Sequence, residues 1–262
     1  MVLEARRPVI PLVAALLLYA VWTAATWWFE GRTGLLTRAD AGTDRIIYAF
    51  VVNLMLGIGG GLLLLRARAV ASDPPRLPNV GFDSVGRAAL GTVAGLLLGG
   101  VFYWLQGAPS RAVMIVGNGF AQVFVVSAAE IVVCWAVVGT ALRDVLSPWL
   151  GRAATVVAGA GAALLFGLYH FAHSPPFDTW SMVGFLSVVG MFTSAFFFTV
   201  RDTLATTVFH NALGTFGVVQ ALVSAGAVEH MQTPQWSLFG TAALTLVVLW
   251  AGGVWLRGGF GR

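Results

Sequence analysis

Four side chains capable of acid–base chemistry fall inside the apolar stretches of this sequence. Glu130 lies deep in the run 123–142, and His170, His173 and His210 follow on two later apolar stretches. Ionisable residues are costly in hydrocarbon, so they are rare in membrane helices and usually mark functional positions. A carboxylate beside imidazoles can act as a general base on water, relay protons or bind a metal ion.

Each of these residues also has a structural interpretation. A single intramembrane histidine often only hydrogen-bonds a neighbouring helix, and a Glu130–histidine pair with that role is an alternative to a catalytic one. His173 lies three residues after His170, on nearly the same helix face. The residues 174–176 that follow it already end the apolar stretch, so an interfacial position is the alternative for His173.

The elements that position these residues are membrane helices. The chain has 262 residues, of which 58% are hydrophobic and 10% charged, whereas a soluble domain averages about 25% charged residues. A membrane-spanning helix needs about 20 apolar residues. The sequence therefore predicts an all-α, polytopic bundle of about eight transmembrane helices, at 8–29, 46–65, 87–107, 112–142, 154–173, 179–200, 203–225 and 236–256.

Three of these stretches have features of their own. The fourth is about 31 residues long, so we expect it to be tilted, kinked or to extend beyond the bilayer. Glycines in the second, among them Gly57 and Gly61, predict close helix packing. The seventh is the least apolar and should face the bundle interior, because it contains Thr206, Thr207, His210, Asn211 and Gln220.

The arginines predict the orientation. All fifteen basic residues are arginine, and with the N-terminus in the cytoplasm eleven fall on inside segments and four outside. This asymmetry favours a multi-pass protein of the cell membrane with both termini cytoplasmic. Its partners are then the lipid bilayer and a substrate, and no soluble basic face is left for nucleic acid. We divide the chain into N-terminal helices (1–109), a core of helices 4–7 (110–225) and a C-terminal helix (226–262).

Three motifs follow one another along the core. Ala129-Glu130 lies in the long fourth helix. Phe166 and His170, separated by three residues, form the pattern FxxxH on the fifth helix, and His210 follows two helices later. Separations of about 40 residues divide them. In these motifs, their order and the helix count, residues 110–225 resemble the CPBP family of CAAX-type intramembrane proteases, also called the Abi family.

The resemblance implies a glutamic-type intramembrane endopeptidase. Glu130 and His170 would orient and deprotonate a water that attacks the peptide bond. His210, with Asn211, would donate hydrogen bonds to the oxyanion. The substrate would be a peptide or a segment of a membrane protein.

Phe166 and His173 would support this site, and no cofactor is expected. Zinc held by Glu130, His170, His173 and His210 is a less favoured alternative, because the two neighbouring histidines are three residues apart rather than four.

The chain departs from the family pattern EExxxR in its first motif. If Glu130 is the second glutamate, Ala129 and Cys134 replace the first glutamate and the arginine. If Glu130 is the first, Ile131 and Trp135 replace the other two. One glutamate and the arginine are missing either way.

The third family motif, HxxxN, is also altered. Gly214 occupies the position of the asparagine, and Asn211 directly follows His210, about 100° away around the helix. The alternatives are therefore an inactive membrane scaffold of the same fold, or a proton-coupled transporter, in which glutamate and histidine side chains form relays.

Overall fold

The computed structural model describes residues 9–38, 40–72 and 84–258, which form helices and no strand. Within these ranges seven helices are long and apolar enough to cross a membrane, and an eighth, more polar helix completes the bundle. The chain is an all-α, multi-pass membrane protein in contact with lipid, as the sequence predicts. The helices are α1 (Val9–Phe29), α2 (Gly42–Ala71), α3 (Val85–Leu105), α4 (Val113–Leu150), α5 (Ala153–Tyr169), α6 (Trp180–Val200), α7 (Thr203–Ser224) and α8 (Trp236–Gly258).

Helices α2 and α4 change their backbone hydrogen bonding midway. The segments Tyr48–Gly59 of α2 and Ile131–Gly139 of α4 are π-helical, with hydrogen bonds spanning five residues instead of four. Glu130 is the last α-helical residue before the second of these segments. Since π-helical turns are rare and occur frequently at functional sites, the backbone marks this position of α4 independently of its charge.

Helix α4 occupies the centre of the bundle. It is 38 residues long, which confirms the prediction of an over-long fourth helix, and every residue of Ile131–Gly139 is buried. The Trp135 indole N–H donates to the Ser194 hydroxyl at 2.7 Å, and that hydroxyl donates to the Gly159 carbonyl at 2.8 Å. These bonds join α4 to α6 and α5 beside the site.

Helix α7 enters the bundle directly after α6. Arg201 ends α6 with φ of 54°, and the Asp202 carboxylate accepts a hydrogen bond from the Ala205 amide at 2.8 Å, which caps α7. The prediction that this helix faces the interior is confirmed for four of its named polar residues, while Gln220 is exposed near its end. The four buried residues are Thr206, Thr207, His210 and Asn211.

Helices α3 and α7 pack along a row of glycines. Gly91, Gly95 and Gly99 recur every fourth residue on α3 and are buried against α7. A Cβ atom at Gly99 would overlap the Cβ atom of Ala212. Small residues at this spacing let two backbones approach closely, so the row sets the position of the helix that carries His210.

The predicted close packing of the α2 glycines is confirmed at two positions. A Cβ atom on Gly57 would lie 2.8 Å from that of Ala129, and one on Gly61 would overlap the Val132 side chain. Helix α2 therefore lies directly against the segment of α4 that carries Glu130.

Candidate functional site

Glu130 is buried between two imidazoles from different helices. Its side chain is 5% exposed, with Oε2 3.0 Å from Nε2 of His210 on α7 and Oε1 3.9 Å from Nε2 of His170 at the end of α5. The structure thus brings together three of the four residues predicted to be catalytic, and Asn211 is the one it does not bring to this carboxylate.

Both ring nitrogens of His210 have a partner. Nε2 faces Glu130, and Nδ1 lies 2.9 Å from the hydroxyl of Thr193 on α6. A histidine held at both nitrogens keeps a fixed ring orientation, as seen where an outer group orients a functional imidazole. Thr193 is not identifiable from the sequence, since a threonine in an apolar helix carries no signal of its partner.

His170 is oriented by its own helix. Its Nδ1 is 2.8 Å from the carbonyl oxygen of Phe166, which can only accept, so Nδ1 carries a proton and Nε2 points towards Glu130. The Phe166 ring meets His170 and His210 edge-on, with centroids 4.7 and 4.9 Å apart. Phe166 therefore packs against both histidines that flank Glu130.

Asn211 lies against α4 and does not face the Glu130 carboxylate. Its Nδ2 donates to the Phe120 carbonyl at 3.0 Å, and its Oδ1 accepts from the Ser127 hydroxyl at 3.2 Å. In this arrangement the Asn211 amide joins α7 to α4. The geometric reason is the one-residue step from His210, which turns the side chain about 100° around the helix.

His173 pairs with a second buried carboxylate, Glu30, which follows α1. Nδ1 of His173 is 3.2 Å from Oε2 of Glu30, and the two side chains are 13% and 7% exposed. Burial opposes the charged imidazole, but the Glu30 carboxylate outweighs this effect and raises the pKa of His173 above its usual value. The sequence does not single out Glu30, because this residue follows an apolar stretch rather than lying inside one.

Both buried glutamates, the three histidines and Phe166 line one cavity of about 680 Å³. Side chains from α2 to α8 and the residue after α1 contribute to its wall. The lining is mostly apolar, and its described acidic, basic and histidine side chains are Glu30, Arg45, Glu130, His170, His173 and His210. A large apolar cavity with a few convergent polar groups is the usual form of a ligand site.

One subset of these residues has the composition of a metal site. Glu130, His170 and His173 each offer a ligand atom, and these atoms lie within 4.8 Å of one another. One carboxylate and two imidazoles are a donor set that suits zinc, so these three are the described residues best placed to hold a cation.

The arrangement can therefore bind water between acid–base groups, or bind a cation, inside a membrane protein. Comparison of the chain with protein-family models, curated proteins and solved structures finds no match. The resemblance to CPBP proteases rests on the motifs around Glu130, Phe166, His170 and His210.

Proposed function

We propose that this chain is an intramembrane endopeptidase of the CPBP type that hydrolyses a peptide bond with water activated by Glu130 and His170. One observation carries the proposal: a buried carboxylate lies between two imidazoles in the wall of a largely apolar cavity. A glutamate without such partners would be costly at this depth. Its placement among groups able to share a proton supports chemistry at this position.

The attacking water lies between Glu130 and His170. The 3.9 Å from Oε1 of Glu130 to Nε2 of His170 exceeds a direct hydrogen bond, but a water beside both atoms bonds each of them. The protonated Nδ1 of His170 leaves Nε2 as an acceptor in the neutral ring, so the water donates to both groups. Glu130 then takes a proton as the water oxygen attacks the carbonyl carbon.

His210 stabilises the oxyanion. Its Nε2 bonds Glu130 in the resting site. Once Glu130 has taken a proton its negative charge is lost, and the oxyanion becomes the stronger acceptor for the His210 N–H. Asn211 contributes by fixing α7 against α4, since its amide is already bonded there.

The substrate is a peptide or a segment of a membrane protein that fits an apolar cavity of about 680 Å³. The chain acts in the cell membrane with both termini in the cytoplasm, as the arginine distribution favours. It needs no cofactor in this mechanism.

The test is cleavage of membrane-anchored fluorogenic peptides by the purified chain in lipid. We expect Glu130→Gln and His170→Ala each to lower the rate at least about 100-fold, the usual scale for loss of a general base. Glu229→Gln and His230→Ala are matched controls, because neither residue lines the cavity. Equal cleavage by all four variants would contradict the proposal, and no cleavage by the wild type would favour the inactive scaffold.

A zinc-dependent hydrolase is the second candidate, favoured by the convergence of Glu130, His170 and His173. A zinc ion there would supply an activated hydroxide. Metal analysis of the purified protein separates the two candidates: one equivalent of zinc, lost in His173→Gln, supports the second, while cleavage by metal-free protein supports the first.

A further inference from the structure

Glu30 and His173 form a second carboxylate–imidazole pair that the mechanism above leaves unused. Both residues line the same cavity as Glu130 and His170. The two histidine rings are stacked, with centroids 5.1 Å apart and an interplanar angle of 28°. A ligand atom of His173 lies within 4.8 Å of one on Glu130 and one on His170, so the second pair adjoins the reacting centre.

The Glu30 carboxylate is held in one orientation by groups of the 173–174 turn. It accepts hydrogen bonds from the backbone amide of Ser174, at 2.8 Å, and from the Ser174 hydroxyl. Oε2 also faces Nδ1 of His173 at 3.2 Å. A carboxylate on one ring nitrogen fixes the tautomer and the direction of an imidazole, as in hydrolases that use such a pair.

The other ring nitrogen of His173 is left without a partner. Nε2 is buried, and no described group hydrogen-bonds it. Buried polar atoms are nearly always bonded, and an exception in a native structure calls for an explanation. Because His173 is part of the cavity wall, a group of the bound substrate is the partner available to this nitrogen.

The contact between α1 and the turn after α5 is closely packed. A Cβ atom on Gly31 would overlap the carbonyl oxygen of Ala172. One helix turn earlier, the Thr26 hydroxyl lies 3.2 Å from that of Tyr169, whose ring stacks on Trp22 with centroids 4.0 Å apart. Backbone contact and ring stacking together fix Glu30 at His173.

We propose that His173 is the catalytic proton donor to the leaving amine and that Glu30 is its positioning residue. The inference rests on the proposed peptidase function. It gives the site a second carboxylate, contributed by α1, where the family pattern has two adjacent glutamates on one helix.

The proton and electron balance is complete. Water attack forms the new C–O bond, moves the carbonyl π pair to oxygen and leaves one proton on Glu130. His173 starts as the imidazolium, with Nδ1–H on Glu30 and a proton on Nε2. Collapse of the intermediate re-forms C=O and breaks the C–N bond, and the departing nitrogen keeps the electron pair and takes the proton from Nε2 of His173. Return of the Glu130 proton to His173, through water, restores the site and releases a carboxylic acid and an amine.

In a purely structural role, the Glu30–His173 pair would only hold α1 against the end of α5. The two roles differ in how they depend on the leaving group. An amine must be protonated to leave, whereas a phenolate leaves without a proton. Loss of a proton donor therefore slows cleavage of a peptide and spares an aryl ester of the same acyl sequence. Loss of a purely structural contact slows cleavage of both substrates.

The experiment measures kcat for both substrates with the full-length protein in lipid. We expect His173→Gln to lower kcat for the peptide about 100-fold and kcat for the ester less than about 3-fold. Glu30→Gln should also lower peptide cleavage more than ester cleavage, and Glu30→Asp should retain part of the peptide activity. Glu229→Gln is the control for the carboxylate. If a glutamine variant does not fold, added imidazole should restore peptide cleavage by His173→Ala.

Equal losses on both substrates, with Glu130→Gln inactive, would overturn this inference and leave the proposed function standing. Absence of cleavage of either substrate by the wild type would overturn both. Peptide cleavage unchanged in His173→Gln would also rule out the proton-donor role.

Discussion

Glu130 and Glu30 are two buried carboxylates that each lie against an imidazole. Removing one member of a buried pair leaves the other charge without compensation, which typically costs about 3–5 kcal/mol. Glutamine is therefore the informative replacement at both positions, because it removes the charge and keeps the size of the side chain and one acceptor oxygen. Thr193 belongs to the same network through Nδ1 of His210.

We predict that Thr193→Val lowers peptide cleavage about 10-fold, because His210 loses the partner that orients its ring. The Thr193 hydroxyl also lies 3.2 Å from the carbonyl of Val189, so the expected loss of stability is about 1 kcal/mol for each of its two hydrogen bonds. Thr245→Val is the matched control: its hydroxyl is also buried and bonds the carbonyl of Thr241, with no histidine involved. The measurements are kcat and the unfolding midpoint, and equal effects on kcat would contradict the prediction.

Of the two carboxylate–imidazole groups in the cavity, the residue types of the sequence predicted the one around Glu130. Glu130, His170 and His210 stand out because ionisable side chains in apolar stretches need partners. In the structure, the Glu130 carboxylate lies within 4 Å of a ring nitrogen of each histidine. The Glu30–His173 pair could not be predicted, because a carboxylate at the end of an apolar stretch is ordinarily solvated. Its burial depends on the packing of α1 against a turn about 140 residues later.

At the scale of elements, hydropathy predicted the helices well and their contacts poorly. The eight predicted stretches correspond to α1–α8, with α4 extended to 38 residues. The glycine row of α3 was missed because a small residue in an apolar helix favours packing without naming the partner. The π-helical segments were not predicted either, since hydropathy does not distinguish a π-helix from an α-helix.

We predict that Gly99→Ala lowers the free energy of unfolding by about 1–3 kcal/mol, the usual cost of overpacking. Its Cβ atom would overlap Ala212 and force α3 away from α7. Gly100→Ala is the control on the next residue, where a Cβ atom meets nothing within 4 Å and better helix propensity makes the change neutral or favourable. Unfolding in detergent, followed by circular dichroism, checks this; equal midpoints would show that the row does not limit the packing.

At the scale of the whole molecule, the cavity is not confined to the core predicted at 110–225. Glu30, Tyr48 and Phe102 line it from the N-terminal part, and Thr241 from α8. The site therefore depends on helices outside the segment that carries the motifs.

The proposed orientation can be tested by labelling single introduced cysteines. Cys134 is the sole cysteine of the sequence and is fully buried, so we expect a membrane-impermeant maleimide to leave the wild type unlabelled in intact cells. Ala112→Cys and Ala153→Cys place exposed thiols at opposite ends of α4. In the proposed orientation Ala112 lies outside and Ala153 in the cytoplasm. We therefore predict labelling of the first variant in intact cells and labelling of the second only after lysis; the reverse pattern would invert the topology.

The short turn from α6 to α7 has a consequence for biosynthesis. Helix α7 falls outside the seven helices that are apolar enough to cross a membrane by themselves, yet it carries His210. Only Arg201 and Asp202 separate it from α6, so the insertion machinery receives the two as one helical hairpin whose first arm is strongly apolar. His210 already has a partner on α6 at Thr193, so we expect α7 to insert together with α6, and lengthening this turn should reduce the yield of inserted protein before it affects any chemistry.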